Sequence, residues 1–444
     1  EEHHASHAIA LAEEMLSGRD IDAAENSRIP ASGSYNTMDD AIKGSGGADL
    51  CIISIAGKYA AAEAMKALSR GMHVMLFSDN VSLDDELLLK QTALKKGLLM
   101  MGPDCGTAII NGVPLAFANV IPKGDIGIVS AAGTGLQEVA VGIVHYGKGA
   151  FGISQAFGTG GRDGKREIGG LMLCACLQYL IEDVNTKTIV LIAKTPDPEV
   201  RDKIWALLAG TQKKVIVNFL KDVEIAQLPN MHYSKSLTHT AKLACGLDIS
   251  EPFSYPEIEL FNPPSHTKMD QIGACHPKPE RQESRNKLVA LYSGGTLAYE
   301  ARSLYKEAFG IEPGTNLNSD EDLIVDLGDD EYTVGRLHPM MDYSFRINQL
   351  QRFAKDKAVA VILLDIVLGY GAHPDPASEL ESIINKTAED ISIVCHVLGT
   401  EKDPQGASGQ IKTLQEAGAT VFQSNHQAVS CALKLLQAYR GVTL

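Results

Sequence analysis

Two short turns rich in small and hydroxyl residues could bind an anion. Each follows an apolar run and precedes a stretch with helical spacing, which predicts a turn between a strand and the start of a helix. The first N–H groups of such a helix lack partners within the helix, and its dipole favours negative charge, phosphate above all. The residues of the two turns are Ser130, Ala131, Ala132, Gly133 and Thr134, and Ser293, Gly294, Gly295 and Thr296.

The hydroxyl groups of these turns add hydrogen-bond donors. We therefore predict catalytic roles for Ser130, Thr134, Ser293 and Thr296. Small residues also let the backbone approach a ligand closely. A tight turn without a ligand is the alternative for either turn taken alone. Because the turn occurs twice, we favour a binding site and expect both helix starts to share one pocket for a phosphorylated species.

A glycine-dense loop over residues 158–166 could contact the same ligand. It contains Gly161 and Arg162. The fork-shaped guanidinium group of arginine suits a carboxylate or a phosphate, so we predict a catalytic or substrate-binding role for this loop. A solvated loop with a salt bridge is the alternative.

An acidic run in the second half of the chain is the counterpart of that loop. Asp329 and Asp330 follow a predicted strand and could hold a metal or accept N–H groups of a substrate. A solvated turn is an equally good interpretation. Arg336 and His338 come shortly afterwards and are candidates for neutralising substrate charge.

A third candidate segment, Met101–Thr107, ends a predicted strand, and open α/β sheets place ligands at such ends. We predict that Asp104 and Cys105 contact substrate. A nucleophilic Cys105 is less favoured than a packing or lining role, because no partner base can be identified. The eight cysteines form no CxxC pair, so we predict reduced thiols and no metal site.

Composition limits the partners of the chain. Its 444 residues suggest about three domains, and its 45% hydrophobic content is enough for large cores. A net charge of −15 argues against nucleic acid and anionic lipid as nonspecific partners. No run of about 18 uncharged apolar residues predicts a membrane span. We expect a cytoplasmic protein with a small anionic substrate, and an N-terminal piece missing before Glu1.

The elements alternate between strand and helix, which predicts parallel sheets covered on both faces. Residues 49–120 show this alternation, residues 124–248 repeat it, and residues 287–444 repeat it again. The sequence Pro196-Asp197-Pro198 recurs as Pro374-Asp375-Pro376, in the same order relative to the two turns. We predict an α/β protein with a duplicated flavodoxin-like domain, and chance similarity between α/β units is the alternative.

Several segments together resemble succinyl-CoA synthetase. Residues 101–106 resemble the segment that ends the CoA-binding domain of its α subunit. Residues 127–138 resemble the strand and phosphate-facing helix of its ligase domain, and residues 293–300 resemble the helix that its β subunit supplies. Two ligase domains in one chain without an ATP-grasp module are the arrangement of the FdrA family.

Further strings identify the chain as a member of the FdrA family. They are Phe77-Ser78-Asp79-Asn80-Val81, residues 114–119, Gly160-Gly161-Arg162-Asp163, residues 326–330 and residues 399–404. The resemblance implies a Rossmann-like CoA-binding-type domain over residues 1–122, a first ligase-type domain over 123–249, a proline-rich linker over 250–286 and a second ligase-type domain over 287–444.

The chain departs from the ligases in two places. Their phosphorylated histidine lies in a loop after the strand that matches Lys214–Phe219, but here Leu220-Lys221-Asp222-Val223-Glu224 follows. His232 is a poor substitute for it. The glycine-rich CoA loop of the ligases has no match either. No cofactor is therefore predicted with certainty, and CoA and ATP enter only if the chain is a ligase.

Membership of the FdrA family implies one component of an oxamate carbamoyltransferase of allantoin breakdown, acting with other subunits. That enzyme converts oxalurate and phosphate to oxamate and carbamoyl phosphate. The two turns would bind phosphate, and Arg162 or Arg336 the oxalurate carboxylate. The alternatives are a subunit of an NDP-forming acyl-CoA ligase and a non-catalytic subunit that binds phosphate or CoA. We expect a hetero-oligomer in which the chain itself forms a homodimer or larger assembly.

Overall fold

The computed structural model describes residues 34–219, 228–247 and 285–441. The predicted segment 220–224 and nearly all of the predicted linker lie outside these residues. The chain divides into two units, Glu1–Asp49 and Leu50–Leu444. In the first unit, helix α1 (Met38–Ser45) begins after Thr37, whose Oγ1 accepts the N–H of Asp40 at 3.1 Å.

The second unit begins with a small parallel sheet of order β1-β2-β3. Its helix α3 (Leu83–Lys95) is capped by Ser82, whose Oγ accepts the N–H of Asp85 at 3.1 Å. Gly97, with φ of 67°, follows its end. The elements are β1 (Leu50–Ile53), α2 (Gly57–Ser69), β2 (His73–Leu76), α3 (Leu83–Lys95) and β3 (Met100–Met101).

A seven-stranded sheet follows, with the order β10-β9-β8-β6-β7-β4-β5. Its strands are β4 (Thr107–Ile110), β5 (Val113–Ala116), β6 (Lys123–Ser130), β7 (Ile153–Gly158), β8 (Thr188–Ala193), β9 (Lys214–Phe219) and β10 (Met231–Tyr233). Its helices are α4 (Gly133–Tyr146), α5 (Leu171–Glu182), α6 (Pro198–Ala209) and α7 (Leu237–Ala244).

The hairpin β4–β5 corrects the predicted domain boundary at residue 122. Strand β4 pairs with β5 and with β7, so the hairpin belongs to the seven-stranded sheet rather than to the first sheet. Asn111 and Gly112 form its turn, with φ of 53° and 84°. Asn-Gly is the usual sequence of a two-residue hairpin turn that needs positive φ at both positions. That signal could have placed the boundary between Met101 and Thr107.

The third sheet is parallel, with the order β12-β11-β13-β14-β15. Its strands are β11 (Lys287–Tyr292), β12 (Leu323–Asp326), β13 (Val359–Val367), β14 (Ser392–Leu398) and β15 (Thr420–Phe422). Its helices are α8 (Gly295–Phe309), α9 (Asp330–Thr333), α10 (Ser344–Ala354), α11 (Pro376–Thr387), α12 (Ala407–Glu416) and α13 (Asn425–Tyr439).

The predicted duplication is confirmed by the strand order. Strands β7-β6-β8-β9-β10 correspond one to one with β12-β11-β13-β14-β15, and both sets have the flavodoxin-like order 2-1-3-4-5. The repeated Pro-Asp-Pro sequences cap corresponding helices. Asp197 begins α6 and Asp375 begins α11, each followed by proline in the first turn.

One hydrophobic core joins the two flavodoxin-like halves. It includes Leu136 and Val139 of α4, Leu297 of α8, and Ala432 and Leu436 of α13. This shared core holds the start of α4 and the start of α8 in fixed positions. None of the helices within the described ranges is long and apolar enough to cross a membrane.

Candidate functional site

The starts of α4 and α8 lie side by side, as predicted. A Cβ atom on Gly135 would lie 2.9 Å from Thr296 Cγ2, and one on Gly294 would lie 2.8 Å from Thr134 Cγ2. Each threonine therefore packs against a glycine of the other turn, and a larger residue at either glycine would force the turns apart. Both turns also lie where the strand order of their sheets reverses, the usual ligand position in such folds.

The first turn uses part of its hydrogen-bonding capacity internally. Ser130 Oγ accepts the N–H of Ala132 at 3.0 Å and donates to its carbonyl at 2.7 Å, and the N–H of Ala131 donates to Ile192 O. Among the described residues, the N–H groups of Gly133, Thr134 and Gly135 have no acceptor. The donors available to an anion are thus at Gly133–Gly135, and the predicted contribution of the Ser130 hydroxyl is corrected.

The second turn already contains an anion from the chain. The Asp365 carboxylate accepts the N–H of Ser293 at 2.7 Å, the hydroxyl of Ser293 at 3.0 Å and the N–H of Gly294 at 2.8 Å. The guanidinium of Arg346 donates to the same carboxylate at 2.7 Å, and both side chains are fully buried. Ser293 and Gly294 are therefore not free to bind phosphate, which corrects the prediction of two equivalent phosphate sites.

A second carboxylate lies beside the same turn. Asp326 Oδ2 is 2.5 Å from the position that a Cβ on Gly295 would take, and Asp326 Oδ1 accepts the N–H of Gly328 at 2.9 Å. Burial raises the pKa of Asp326 to about 6, and the nearby Asp365 acts in the same direction. The N–H groups of Gly295, Thr296 and Leu297 also have no acceptor among the described residues, but two carboxylates lie at the start of α8, so we favour the start of α4 as the candidate anion site.

The loop 158–166 is anchored to helix α3. Arg162 Nε lies 2.9 Å from Glu86 Oε2, and its Nη2 donates to Val81 O at 2.8 Å. The buried Lys90 ammonium donates to Glu86 at 2.7 Å, to Asp163 at 2.7 Å and to Thr159 O at 3.0 Å. The salt bridge that was the alternative interpretation of Arg162 is therefore present. Substrate could be bound only by the remaining N–H groups of Arg162, and that role stays a prediction.

Asp104 lies between this loop and the first turn. A Cβ on Gly161 would lie 3.9 Å from Asp104 Oδ2 and 3.8 Å from Ala131 O. Asp104 remains in contact with solvent, but desolvation by the protein around it raises its pKa to about 7. The carboxylates of Asp79 and Asp330 raise the pKa further, whereas Lys194 and Arg162 lower it. Asp104, Gly161 and Arg162 thus lie close together, as predicted for substrate contacts.

Cys105 is packed in the interior, away from solvent. Its thiol is buried, donates to Gly158 O at 3.3 Å, and has a pKa raised to about 12 by desolvation. A thiol with so high a pKa is neither a nucleophile nor a ready ligand. The packing role considered for Cys105 is correct, and its prediction as a substrate-binding residue is wrong.

The surroundings of His338 disfavour its predicted role in neutralising substrate charge. Burial lowers its pKa to about 4, so its ring is neutral near pH 7. His338 Nδ1 accepts the N–H of Met340 at 3.2 Å, and its ring packs against that of Phe117 with 5.4 Å between centroids. His338 Nε2 is 2.9 Å from the position of a Cβ on Gly328, so His338 supports the loop after β12.

The acidic run forms the start of α9. Asp329 caps this short helix by accepting the N–H of Glu331 at 3.2 Å. Desolvation raises the pKa of Asp330, and Asp79 acts in the same direction. Within the ranges that the structure describes, no three His, Cys, Asp or Glu side chains are arranged to hold a metal ion.

Arg336 lines a separate cleft. Its guanidinium lies 4.3 Å from the centroid of the Phe345 ring, and the cleft has a volume of about 420 Å³. None of the residues that line it belongs to the two turns. The structure therefore does not place Arg336 with the predicted phosphate-binding residues.

Two buried glutamates, which the sequence patterns did not identify, join the halves reciprocally. Glu138 of α4 accepts the N–H of Asn425 at the start of α13 at 3.0 Å, and Glu300 of α8 accepts the N–H of Leu237 at the start of α7 at 2.9 Å. Glu138 also lies 3.0 Å from His396 Nε2, whereas Glu300 accepts the Asn425 amide at 2.8 Å. The sequence carries one local signal for this pair, since each glutamate lies four residues after the threonine of its turn and therefore occupies the corresponding position of its helix.

Comparison with known proteins agrees with this architecture. The family model of the CoA-ligase domain matches residues 291–435. The chain is 38% identical over 410 residues to the uncharacterized protein YahF of Escherichia coli (strain K12), covering 88% of this chain and 77% of that protein. It is 28% identical over 193 residues to the α subunit of an ADP-forming succinate–CoA ligase of Aquifex aeolicus (strain VF5), covering 40% of this chain and 61% of that subunit.

Among solved structures, the chain is similar to a dinucleotide-forming acetyl-coenzyme A synthetase 1 of Ca. Korarchaeum cryptofilum in complex with phosphate and ADP. Sequence identity is 12%, the TM-score is 0.33, and the match covers 89% of this chain and 83% of that one. The name FdrA remains a prediction, because YahF is uncharacterized. The chain belongs to the same family as YahF, within the broad group of succinyl-CoA synthetase-like proteins that carry the CoA-ligase domain.

Proposed function

We propose that the chain is a subunit of an acyl-CoA ligase-type enzyme and binds phosphate, or the phosphate group of an acyl phosphate, at the start of α4. The observation that carries this proposal is a helix start whose three N–H groups at Gly133–Gly135 have no acceptor among the described residues and whose preceding turn, unlike that of α8, is not hydrogen-bonded to a carboxylate. Such a helix start stabilises an anion by about 0.3–1 kcal/mol at exposed sites, and by more where it is partly buried.

The proposal places one phosphate on each chain rather than two. The Asp365 carboxylate, paired with Arg346, already accepts the N–H groups of Ser293 and Gly294, and Asp326 lies beside Gly295, so a second phosphate at the start of α8 would meet two carboxylates. The start of α4 lacks such a carboxylate within hydrogen-bonding distance in the described residues. An acyl phosphate bound there would lie near Asp104 and the loop that carries Arg162.

The similarity to the α subunit of succinate–CoA ligase supports an organic acid, CoA and a nucleotide as reactants. The start of α2, after β1, packs closely against the loop that follows β2, since a Cβ on Gly57 would lie 2.2 Å from Asp79 O. Because the described residues do not define a position for CoA or the nucleotide, we derive no step through either.

Replacement of Gly133 by proline tests the phosphate site. Proline at the first position of a helix removes one N–H without breaking a bond within the helix, and the extended backbone of Ala132 suits a following proline. Because hydrogen bonds to charged groups are worth about 1.5–3 kcal/mol, Gly133→Pro should weaken the binding of inorganic phosphate roughly tenfold or more. Isothermal titration calorimetry measures this change.

Leu83→Pro is the matched control, since Leu83 is the first residue of α3 and is exposed. This variant should bind phosphate as the wild type does. Absence of saturable phosphate binding to the wild-type chain, or equal affinity in the Gly133→Pro variant, would overturn the proposed site.

Oxamate carbamoyltransferase is the second candidate, favoured by one observation. The residues after β9, 220–227, contain no histidine, so a phosphohistidine relay through that segment has no carrier. A transfer in which phosphate attacks oxalurate directly, releasing oxamate and carbamoyl phosphate, needs none. Incubation of the complete complex with oxalurate and phosphate, compared with incubation with an acid, CoA and ATP, separates the two reactions by their products.

A further inference from the structure

The cleft beside α10 is a second candidate ligand site, distinct from the start of α4. Its volume of about 420 Å³ falls within the range of roughly 300–1,000 Å³ that is usual for small-molecule pockets. Its lining combines apolar and polar side chains. The residues are Leu327, Tyr332, Gly335, Arg336, Leu337, Pro339, Asp342, Ser344, Phe345 and Asn348.

Arg336 is the positively charged residue of this lining, and the N–H groups of its side chain are available to a ligand. The guanidinium carbon lies 4.3 Å from the centroid of the Phe345 ring, a distance typical of a cation–π contact. The Arg336 residue is exposed, so its guanidinium is accessible to a ligand in the cleft. Among the described residues, no carboxylate, carbonyl or hydroxyl accepts a hydrogen bond from the Arg336 side chain.

Asp342, the one carboxylate among the residues that line the cleft, already accepts a hydrogen bond. Asp342 Oδ1 accepts the N–H of Ser344 at 2.9 Å at the start of α10, and this hydrogen bond lowers the pKa of Asp342. Asp342 is therefore ionised near pH 7 and is committed to the backbone rather than to Arg336. Its negative charge also disfavours a ligand that carries two negative charges.

The remaining lining offers apolar and aromatic surface. The rings of Tyr332 and Phe345 pack against each other, with 28° between their planes and 6.1 Å between their centroids. Leu337 is 61% exposed, so its apolar side chain is available to a ligand. Asn348 adds an amide that can orient a polar substituent.

We propose that this cleft binds a small organic carboxylate, with the carboxylate group paired to Arg336 and the carbon skeleton lying against Phe345 and Leu337. A single arginine balances a single negative charge, and the planar guanidinium matches a carboxylate through two parallel hydrogen bonds. Because an organic acid is also the reactant of a CoA ligase, the site extends the proposed function, but it requires neither phosphate nor CoA.

Titration with benzoate tests the proposal. Benzoate has one carboxylate and a flat ring, and benzamide has the same ring without the charge. Benzoate should bind saturably and benzamide at least tenfold more weakly. Arg336→Gln should weaken benzoate binding at least tenfold, whereas Arg336→Lys, which keeps the charge but not the fork, should lose less affinity.

Arg352→Gln is the matched control. Arg352 lies on α10 and, like Arg336, lies over a phenylalanine ring, with its guanidinium carbon 5.1 Å from the Phe353 ring centroid, but it does not line the cleft. This variant should bind benzoate as the wild type does. Equal losses in the Arg336 and Arg352 variants, or no saturable binding of benzoate, would overturn the site.

Two further measurements separate this site from the phosphate site. Inorganic phosphate should fail to displace benzoate. If phosphate displaced benzoate at concentrations below those at which benzoate binds, the cleft would prefer phosphate to a carboxylate and the proposal would be wrong. Gly133→Pro should leave benzoate affinity unchanged. Failure of the phosphate site and failure of the carboxylate site are thus distinguishable results.

Discussion

Asp365 shows what a single buried side chain does to a predicted binding site. The two turns have similar sequences, yet one of them binds a carboxylate of its own chain. This carboxylate is the acceptor for two backbone N–H groups, one hydroxyl and one guanidinium. Such a charge is stable in the interior only because these partners surround it.

Replacement of Asp365 by alanine should therefore destabilise the protein strongly. The variant leaves the Arg346 charge and the N–H groups of Ser293 and Gly294 buried without their acceptor. Removing one partner of a buried ion pair costs roughly 3–5 kcal/mol, so the free energy of unfolding should fall by about that amount. Urea denaturation followed by circular dichroism measures the change.

Asp390→Ala is the control at this scale. The Asp390 side chain is 71% exposed and lies 3.8 Å from Arg285, so its loss should change the free energy of unfolding by less than about 1 kcal/mol. Similar losses in both variants would mean that Asp365 does not hold the second turn.

At the scale of elements, helix α3 positions a loop of the neighbouring sheet. Lys90 is fully buried and joins Glu86 of α3 to Asp163 of the loop 158–166. Asp163 in turn accepts the N–H of Leu173 at 2.7 Å, at the start of α5. The position of the loop that carries Arg162 thus depends on its contact with helix α3, which belongs to the neighbouring sheet.

Lys90→Met should loosen this loop. The variant keeps an apolar stem but leaves two buried carboxylates without the ammonium, which is unfavourable by several kcal/mol. Amide hydrogen exchange over residues 159–166 and at the start of α5 should become faster than in the wild type. Lys66→Met, which removes an exposed pair with Glu63, should leave exchange in that loop unchanged, and equal protection in both variants would contradict the role of Lys90.

The sequence predicted elements better than contacts. The caps at Ser82, Asp197 and Asp375 are local signals, since each side chain accepts an N–H two or three residues later. The Asn111-Gly112 hairpin turn is a local signal of the same kind. The partners of Ser293 and Glu138 lie more than 70 residues away along the chain, and no local pattern carries such a contact.

At the scale of the whole molecule, two buried glutamates, Glu138 and Glu300, lie at the interface between the two halves. Burial raises the pKa of Glu300 to about 7 from an ordinary value of 4.5, and Glu138 acts in the same direction. The hydrogen bonds from Leu237 and Asn425 lower it, as does His396. Burial alone would lower the pKa of His396, but the adjacent Glu138 raises it overall.

The stability of the protein should therefore depend on pH through Glu300. The folded state holds the Glu300 proton more tightly than the unfolded state, so this contribution is fully present below pH 4.5 and is lost as the pH rises through about 7. The loss is on the order of 3 kcal/mol for a shift of this size. Glu300→Gln should remove that part of the pH dependence of the free energy of unfolding between pH 5 and 8.

Glu312→Gln is the control for this experiment, since the Glu312 side chain is 63% exposed and pairs with Lys306. It should leave the slope of stability against pH unchanged. A wild-type slope that persists in the Glu300→Gln variant would show that another group titrates in this range.

The shared core makes each copy of the duplicated domain part of the other's packing. Each half covers apolar surface that the other would otherwise expose to water, so separating the copies would expose that surface. The copies nevertheless differ before their helices, because the Asp365 carboxylate accepts N–H groups of the second turn, whereas a backbone carbonyl and the Ser130 hydroxyl accept those of the first. The duplicated fold is thus an asymmetric pair that is held together by one core.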